Sequence, residues 1–210
     1  PVGLEPGRPY WYRFEADGAR SVTGRTRTLP AAGAERLRLA FTSCSNYPFG
    51  HFNVYGHIAA RADLDLVLHL GDYIYEHGPE GYGGEIGARL GRVHAPAREI
   101  VELGHYRTRH AQYRTDPHLQ AVHRQHPMIA VWDDHESANN AWHDGAENHD
   151  DGEGPWPERR AAAVRAWHEW LPVRELPMER RAHIWRSYPI GGLADLVMLD
   201  AKLDIRDFID

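Results

Sequence analysis

The 210-residue sequence lacks several features that would point directly to a class of protein. A single cysteine excludes an internal disulfide framework, and no run of 18 apolar residues could form a transmembrane helix. The formal net charge of −6, with no basic stripe, argues against nucleic acid as a specific partner. The first nine residues do not have the layout of a signal peptide. The composition, 42% hydrophobic and 26% charged, is typical of a globular protein.

Several well-known functional motifs are also missing. The sequence contains no P-loop, dinucleotide fingerprint, Gly-x-Ser-x-Gly elbow or zinc-finger spacing. The acidic residues 144–153 lack the Gly and the Glu that an EF-hand calcium loop requires, so they indicate a solvated loop. The chain is instead well supplied with potential metal ligands, since it has 15 His and 30 Asp or Glu residues.

The start of the chain predicts a β-hairpin. Residues 10–16 alternate with period two, Asp17-Gly18 is a strong turn signal, and residues 20–28 indicate a returning strand. Because two isolated strands are marginally stable in water, we expect the hairpin to belong to a larger β-domain or to pack against a later part of the chain. Residues 29–33 are a predicted linker.

From residue 37 onward, strands alternate with helices, which predicts an α/β fold with helices layered over the sheet. Strands are expected at residues 37–41, 64–70, 128–132 and 193–199. Helices are expected at residues 53–61, 100–114, 117–125 and from Pro157 onward. Asp116 and Pro117 are typical of an N-cap followed by the first helical residue. The glycines of residues 78–87 predict a long functional loop.

Potential metal ligands follow all four predicted strands. The residues at the strand ends are Cys44, Asp72, Asp133, Asp134, His135 and Asp200. Ligands bind at the carboxyl ends of the strands in open α/β sheets. One Asp in such a place would be ordinary turn chemistry, whereas four ends that all supply ligands predict a metal site.

Each position also has a simpler interpretation. Asp72 could cap a turn while Tyr75 packs in the core, since a phenol needs a strong cation to lose its proton at neutral pH. Asp133 and Asp134 could form a solvated acidic turn, although adjacent like charges are costly without a cation. A lone Cys such as Cys44 is usually a small buried hydrophobe. As a thiolate ligand it would favour iron or zinc over calcium.

Four stretches, taken in order, resemble those of a known family. They are Thr-Ser-Cys-Ser at 42–45, His-Leu-Gly-Asp-Tyr-Ile-Tyr-Glu at 69–76, Tyr-Arg-Thr-Arg-His-Ala-Gln-Tyr-Arg at 106–114 and Val-Trp-Asp-Asp-His-Glu at 131–136. Over residues 37–210 the chain resembles the PhoD-like alkaline phosphatases and phosphodiesterases. The hairpin resembles the end of the small β-sandwich that precedes the catalytic domain in that family.

The resemblance implies a partial calcineurin-like metallophosphoesterase domain at residues 34–210, preceded at residues 1–33 by a β-hairpin remnant of a β-sandwich domain. It also implies secreted or periplasmic enzymes that hydrolyse phosphomonoesters and phosphodiesters as small-molecule substrates. The implied cofactors are Fe³⁺ and Ca²⁺, with other divalent metals as alternatives.

The resemblance further implies roles for individual residues. The implied metal ligands are Cys44, Asp72, Tyr75, Asp134 and Asn139, with Cys44 and Tyr75 on iron and Asp72 bridging two ions. His135 would assist phosphate binding and protonate the leaving group. Lys202 stands where the family has Arg in a Leu-Asp-Thr-Arg stretch, and it would contact phosphate as a point charge without the bidentate fork of Arg.

Other departures from the family pattern predict an incomplete chain. No Gly-Asp-x-His element follows Asp200, and one hairpin cannot form a β-sandwich. We therefore expect a chain cut at both ends, able to associate through the exposed surface of a half-domain. Two alternatives remain open. One is a non-catalytic metal-binding or interaction fragment, and the other is a hydrolase of a non-phosphate ester.

Overall fold

The computed structural model describes residues 2–174, 177 and 182–203, and it has the expected mixed α/β architecture. Its strands are β1 (Pro9–Tyr12), β2 (Glu15–Ala16), β3 (Ala19–Arg20), β4 (Gly24–Arg27), β5 (Leu39–Thr42), β6 (Leu66–His69), β7 (Met128–Ala130), β8 (Arg186–Ile190) and β9 (Ala194–Met198). Its α-helices are α1 (Asn53–Ala59), α2 (Gly84–Leu90), α3 (Leu103–Tyr113), α4 (Pro117–Gln125) and α5 (Trp156–Trp170). The last seven residues of the predicted catalytic domain, 204–210, lie outside the described residues.

A three-stranded parallel sheet in the order β5-β6-β7 forms the centre of the larger part of the chain. All four residues of β6 are buried, as expected for a central parallel strand. The register aligns Thr42 with His69 and His69 with Ala130. The three strands therefore end in one row, and the loops that follow them start at the same edge of the sheet.

Within the described ranges, β5 and β7 are the two edge strands of this sheet. Phe41 on β5 is 69% exposed, so an apolar side chain lies on a strand with an unpaired side. Edge strands of this kind are prone to pair with other chains. Association of the chain through this surface nevertheless stays a prediction.

Four helices pack in pairs, α1 against α4 and α3 against α5. The second pair buries Tyr106 and Tyr113 from α3, and Val164 and Trp167 from α5. The predicted start of α4 is confirmed, because the Asp116 carboxylate accepts hydrogen bonds from the first turn of the helix.

The predicted hairpin is present at the start of the chain. β1 pairs antiparallel with β4, and β2 pairs with β3 around the turn at Asp17. The Tyr12 hydroxyl donates to the His123 carbonyl at 3.3 Å, and Arg124 Nε donates to the Thr23 carbonyl at 3.0 Å. The hairpin thus packs against α4, as expected for a unit that is marginal alone. The proposed domain boundary at residue 33 stays a prediction.

Two sequence predictions were wrong. Helix α2 lies within the predicted glycine loop, because Gly83 and Gly91 adopt left-handed conformations that start and end a short helix. The last predicted strand, β9, pairs with β8 in an antiparallel hairpin of its own instead of joining the parallel sheet. Gly191 and Gly192, both with positive φ, form the tight connection that favours this hairpin.

No α-helix in the described ranges combines the length and the apolar character that crossing a bilayer requires.

Candidate metal centre

The loops that follow β5 and β6 run side by side and bring three of the predicted ligands together. Parallel pairing continues past the strand ends, with Cys44 N–H donating to the Gly71 carbonyl at 3.2 Å. The Cys44 thiol and the Tyr75 hydroxyl both donate to Asp72 Oδ2, at 3.4 and 3.1 Å. The structure therefore places Cys44 and Tyr75 around one carboxylate oxygen of Asp72.

The backbone at this point is held in unusual conformations. Cys44 and Asp72 have φ values of 58° and 55°, in the left-handed region that side-chain-bearing residues rarely adopt. A Cβ atom on Gly71 would lie 2.4 Å from the Asp133 backbone nitrogen, so glycine is required for the loop after β6 to approach the loop after β7. Such conformations occur preferentially at functional sites, where the surrounding structure enforces them.

Three carboxylates form the most acidic part of the site. Asp72, Asp133 and Asp134 each offer an oxygen, and these atoms all lie within 4.8 Å of one another. Burial raises the pKa of Asp72 and of Asp133, and the negative charge of Asp134 raises both further. Lys202 Nζ lies 3.1 Å from Asp133 and 3.3 Å from Asp134, so it compensates part of this charge.

The donor set fits a metal cation. Asp72 Oδ1 is buried and has no hydrogen-bond partner among the described residues, and leaving a buried charged acceptor unpaired is costly. Burial, and then the charge of Asp72, raise the pKa of Tyr75, while burial raises the pKa of Cys44. Both groups therefore keep their protons in the absence of a cation. Carboxylate oxygens, a phenol and a thiol together offer both hard and soft ligands.

Glu136 is a buried residue of the site that the sequence analysis did not single out. Its Oε2 accepts the backbone N–H groups of Asp72 and Asp133 at 3.0 and 2.8 Å, and its Oε1 accepts that of Tyr73 at 2.5 Å. Burial and the charge of Asp72 raise the pKa of Glu136, and the three N–H donors oppose this shift. One side chain thus ties the loop after β6 to the loop after β7.

His135 lies beside the carboxylates and is held by a second buried acid. His135 Nδ1 lies 2.7 Å from Glu76 Oε2, and the imidazole stacks on the Tyr75 ring with 4.1 Å between ring centroids. Burial lowers the pKa of His135, but the hydrogen bond and charge of Glu76 outweigh burial and raise the pKa to about 9. His135 is therefore cationic at neutral pH in this arrangement.

Glu76, His77 and His135 are also spaced closely enough to hold an ion. Both oxygens of Glu76 already have protein partners, because Oε2 bonds His135 while Oε1 accepts from Asn139 N–H at 2.7 Å and from Asn148 Nδ2 at 2.9 Å. We therefore assign this group to the orientation of His135. The structure brings the Asn139 backbone to Glu76, and a role for the Asn139 side chain as a ligand stays a prediction.

Asp200, which follows the fourth predicted strand, stabilises the segment around it. Its Oδ2 accepts from Trp132 Nε1 at 3.0 Å, and its Oδ1 accepts from the backbone N–H groups of Lys202 and Leu203 at 2.9 and 3.2 Å. These contacts fix the turn from which Lys202 reaches Asp133. Asp200 therefore positions the lysine next to the carboxylates.

Arg109 on α3 supports the loop that carries Tyr75. Its buried guanidinium donates to the carbonyls of Tyr75, Ala95, Pro96 and Arg98. Arg109 therefore holds two loops together beneath the site. This gives a structural role to one residue of the 106–114 stretch that resembles the family.

Comparison with known proteins places the chain in a family. Residues 39–207 match the family model described as PhoD-like phosphatase, and residues 1–30 match that of the PhoD-like phosphatase N-terminal domain. The chain is 43% identical over 204 residues to alkaline phosphatase D of Bacillus subtilis (strain 168), covering 95% of this chain and 34% of that protein. It is similar to a solved structure of PhoD with a TM-score of 0.84 and 41% identity, covering 95% of this chain and 38% of that one. The chain thus spans about a third of the relatives that it matches, and it belongs to the PhoD-like phosphatase family.

Proposed function

We propose that the protein of which this chain is a part hydrolyses phosphomonoesters and phosphodiesters with the help of bound metal ions. The observation that carries the proposal is the convergence of Cys44 and Tyr75 on Asp72. Its second oxygen is buried beside two further carboxylates and has no partner among the described residues. The family supplies the reaction class, since the related protein from Bacillus subtilis is an alkaline phosphatase.

Within this proposal, the metal ions are Fe³⁺ and Ca²⁺. Cys44 and Tyr75 would hold the iron because a thiolate and a phenolate suit a soft or highly charged ion, and Asp134 would hold calcium through oxygen. Asp72 would bridge the two, and Asn139 would be a further ligand. Bound ions of this kind polarise phosphoryl oxygens and activate an oxygen nucleophile.

The chain's own residues would then bind the substrate and deliver a proton. His135 Nδ1 donates to Glu76, which fixes the ring and leaves Nε2 available to donate to the oxygen of the leaving alcohol. The Lys202 ammonium group lies close to Asp133 and Asp134, so it would be near a phosphate bound to metal ions held beside these carboxylates. A lysine binds phosphate as a point charge, whereas the arginine of related enzymes can form two parallel bonds.

The first test is hydrolysis of bis(p-nitrophenyl) phosphate by the purified 210-residue chain supplied with iron and calcium. We expect turnover that His135→Gln lowers at least about 100-fold, since general acid catalysis contributes about 10²–10⁴-fold. The exposed His143→Gln should leave turnover unchanged. A folded chain that binds both metals but hydrolyses nothing would support a non-catalytic metal-binding fragment. Hydrolysis of p-nitrophenyl acetate in place of the phosphate ester would support a non-phosphate esterase.

Replacing Cys44 with Ser should weaken iron binding and spare calcium, because the change removes the one soft ligand and leaves the carboxylates intact. Iron and calcium per chain are measured by mass spectrometry after metal loading and desalting. Ser187→Ala, a change at an exposed position of β8, is the control. Equal loss of both metals in Cys44→Ser would contradict the assignment of the thiol to iron.

The same resemblance supports three broader proposals. Residues 1–33 would close a β-sandwich domain, which the match of residues 1–30 to the N-terminal domain model supports. Residues 34–210 would form part of a calcineurin-like metallophosphoesterase domain. The parent enzyme would be secreted or periplasmic, and cell fractionation with detection of the enzyme would test that location.

A further inference from the structure

A cavity of about 500 Å³ opens beside the candidate metal centre, and the proposed function leaves it without a role. Cys44 and Tyr75 line it, and the same two side chains bond Asp72. One wall of the cavity is therefore also a wall of the metal centre. The volume is in the range of small-molecule binding sites, and a group attached to a phosphate held at the centre could enter it.

Aromatic rings form a row from the outer rim of this cavity to His135. Phe49 and Tyr82 are 42% and 58% exposed, and their ring centroids lie 4.9 Å apart. The ring centroids of Tyr82 and Tyr75 lie 6.3 Å apart, and Tyr75 stacks on His135 with 4.1 Å between centroids. Partly exposed aromatic side chains next to a polar centre offer stacking surface to a planar ligand.

The contact between Phe49 and the loop carrying Tyr82 depends on the backbone. Gly83 has a φ of 90°, and a Cβ atom there would lie 2.7 Å from the Phe49 ring. The absence of a side chain at Gly83 thus allows the Phe49 ring to reach the loop and lie beside Tyr82. The aromatic rim is consequently positioned by both the loop after β5 and the loop before α2.

Two buried polar side chains in the cavity lining, Asn46 and Thr42, have no hydrogen-bond partner within the described ranges. Asn46 is 7% exposed, and both its amide oxygen and its amide nitrogen have no hydrogen-bond partner in the part of the chain that the structure describes. The Thr42 hydroxyl is likewise buried without a partner, and both residues line the cavity. Buried polar groups are almost always hydrogen-bonded. An amide provides a donor and an acceptor together, so it suits a ligand that presents the complementary pair.

From these observations we propose that the cavity binds an organic group of the phosphoester, and that this group is a planar ring with a hydrogen-bonding edge. The ring would pack against Phe49 and Tyr82, and its edge would pair with the Asn46 amide. This inference rests on the proposed function, because the phosphate of the same molecule would lie at the metal centre. The inference specifies a substrate class for the reaction: phosphoesters of an aromatic group whose ring carries a hydrogen-bond donor and an acceptor.

Calorimetric titration of the metal-loaded chain with three non-hydrolysable phosphonates tests the proposal. They are methylphosphonate, phenylphosphonate and 4-carbamoylphenylphosphonate, which add first a ring and then an amide edge. We expect the ring to tighten binding about tenfold through burial and stacking, and the amide edge to add about fivefold through hydrogen bonds. Tyr82→Ala should reduce the gain from the ring, Tyr82→Phe should retain it, and Asn46→Ala should remove the gain from the edge.

The outcomes separate this inference from the proposed function. Equal affinity for all three phosphonates would overturn the cavity assignment and leave phosphoester hydrolysis intact. If none of the phosphonates binds, the metal centre does not hold their phosphonate group. The cavity is then tested without metal, by adding benzamide to the isotopically labelled chain. Shifts of the Asn46 side-chain amide resonances in the NMR spectrum, reduced in Tyr82→Ala and retained in Phe14→Ala, would support the cavity. An unchanged Asn46 signal at saturating benzamide would overturn it.

Discussion

Asp72→Asn should abolish binding of both metal ions at once. One carboxylate of Asp72 would bridge the two ions, and its Oδ2 already accepts bonds from the two groups proposed to hold iron. An amide offers one neutral oxygen in place of the two carboxylate oxygens, which share a negative charge. We expect the affinity for each ion to fall at least about 100-fold, since changing a residue that only orients a ligand already costs about 10–100-fold.

Metal analysis of loaded and desalted protein measures this effect, with Asp134→Asn as the informative comparison. Asp134 is proposed to contact only the calcium, so Asp134→Asn should lose that ion and retain iron. Asp144→Asn changes a carboxylate that is 82% exposed and should retain both ions. Loss of a single ion in Asp72→Asn would show that Asp72 binds only that ion. Full occupancy by both ions would show that Asp72 is not a metal ligand.

The sequence predicted well those features of the fold that arise from local chemistry. The N-cap at Asp116, the turn at Asp17 and the buried strand β6 each depend on neighbouring residues, and all three are present. The parallel order of β5, β6 and β7 then brings their carboxyl ends to one edge. This is why three predicted ligands from two loops meet at Asp72.

The errors have a different origin. The run of glycines before α2 indicated a loop, yet Gly83 and Gly91 mark the ends of a helix, where glycine is also favoured. Asp200 follows strand β9 closely, as a ligand would follow a strand of the parallel sheet, but β9 pairs with β8 instead. Strand pairing depends on tertiary contacts that the local pattern of residues does not contain.

The supporting residues of the site were missed for the same reason. Glu136 belongs to the Trp-Asp-Asp-His-Glu stretch, but nothing in that stretch shows that its side chain reaches the backbone of Tyr73, 63 positions earlier in the chain. The pairing of Glu76 with His135 likewise joins residues 59 positions apart. Periodicity and spacing identify the strand ends that carry the ligands, whereas the bonds that orient those ligands become visible only in the folded structure.

Among substitutions outside the proposed ligands, Glu136→Gln should reduce the stability of the fold the most. The two oxygens of Glu136 accept three backbone N–H groups, and glutamine would replace one of the oxygens by a donor that faces another donor. Because Glu136 is 2% exposed, water cannot make up for the lost bond. We expect the free energy of unfolding to fall by about 2–3 kcal/mol, the cost of an unsatisfied buried group at a charged hydrogen bond. Urea denaturation measures this change.

The substitution should also weaken metal binding, because Glu136 holds the backbone of Asp72 and Asp133 in place. Glu158→Gln, at an exposed position in the first turn of α5, makes the same chemical change and should leave stability and metal affinity within error of the original. Calorimetry with calcium, under conditions where Glu136→Gln remains folded, separates the two effects. Lower stability with unchanged affinity would mean that Asp72 and Asp133 keep their positions without the clamp. Weaker binding by the folded variant would mean that the backbone N–H bonds to Glu136 align the carboxylates for the cation.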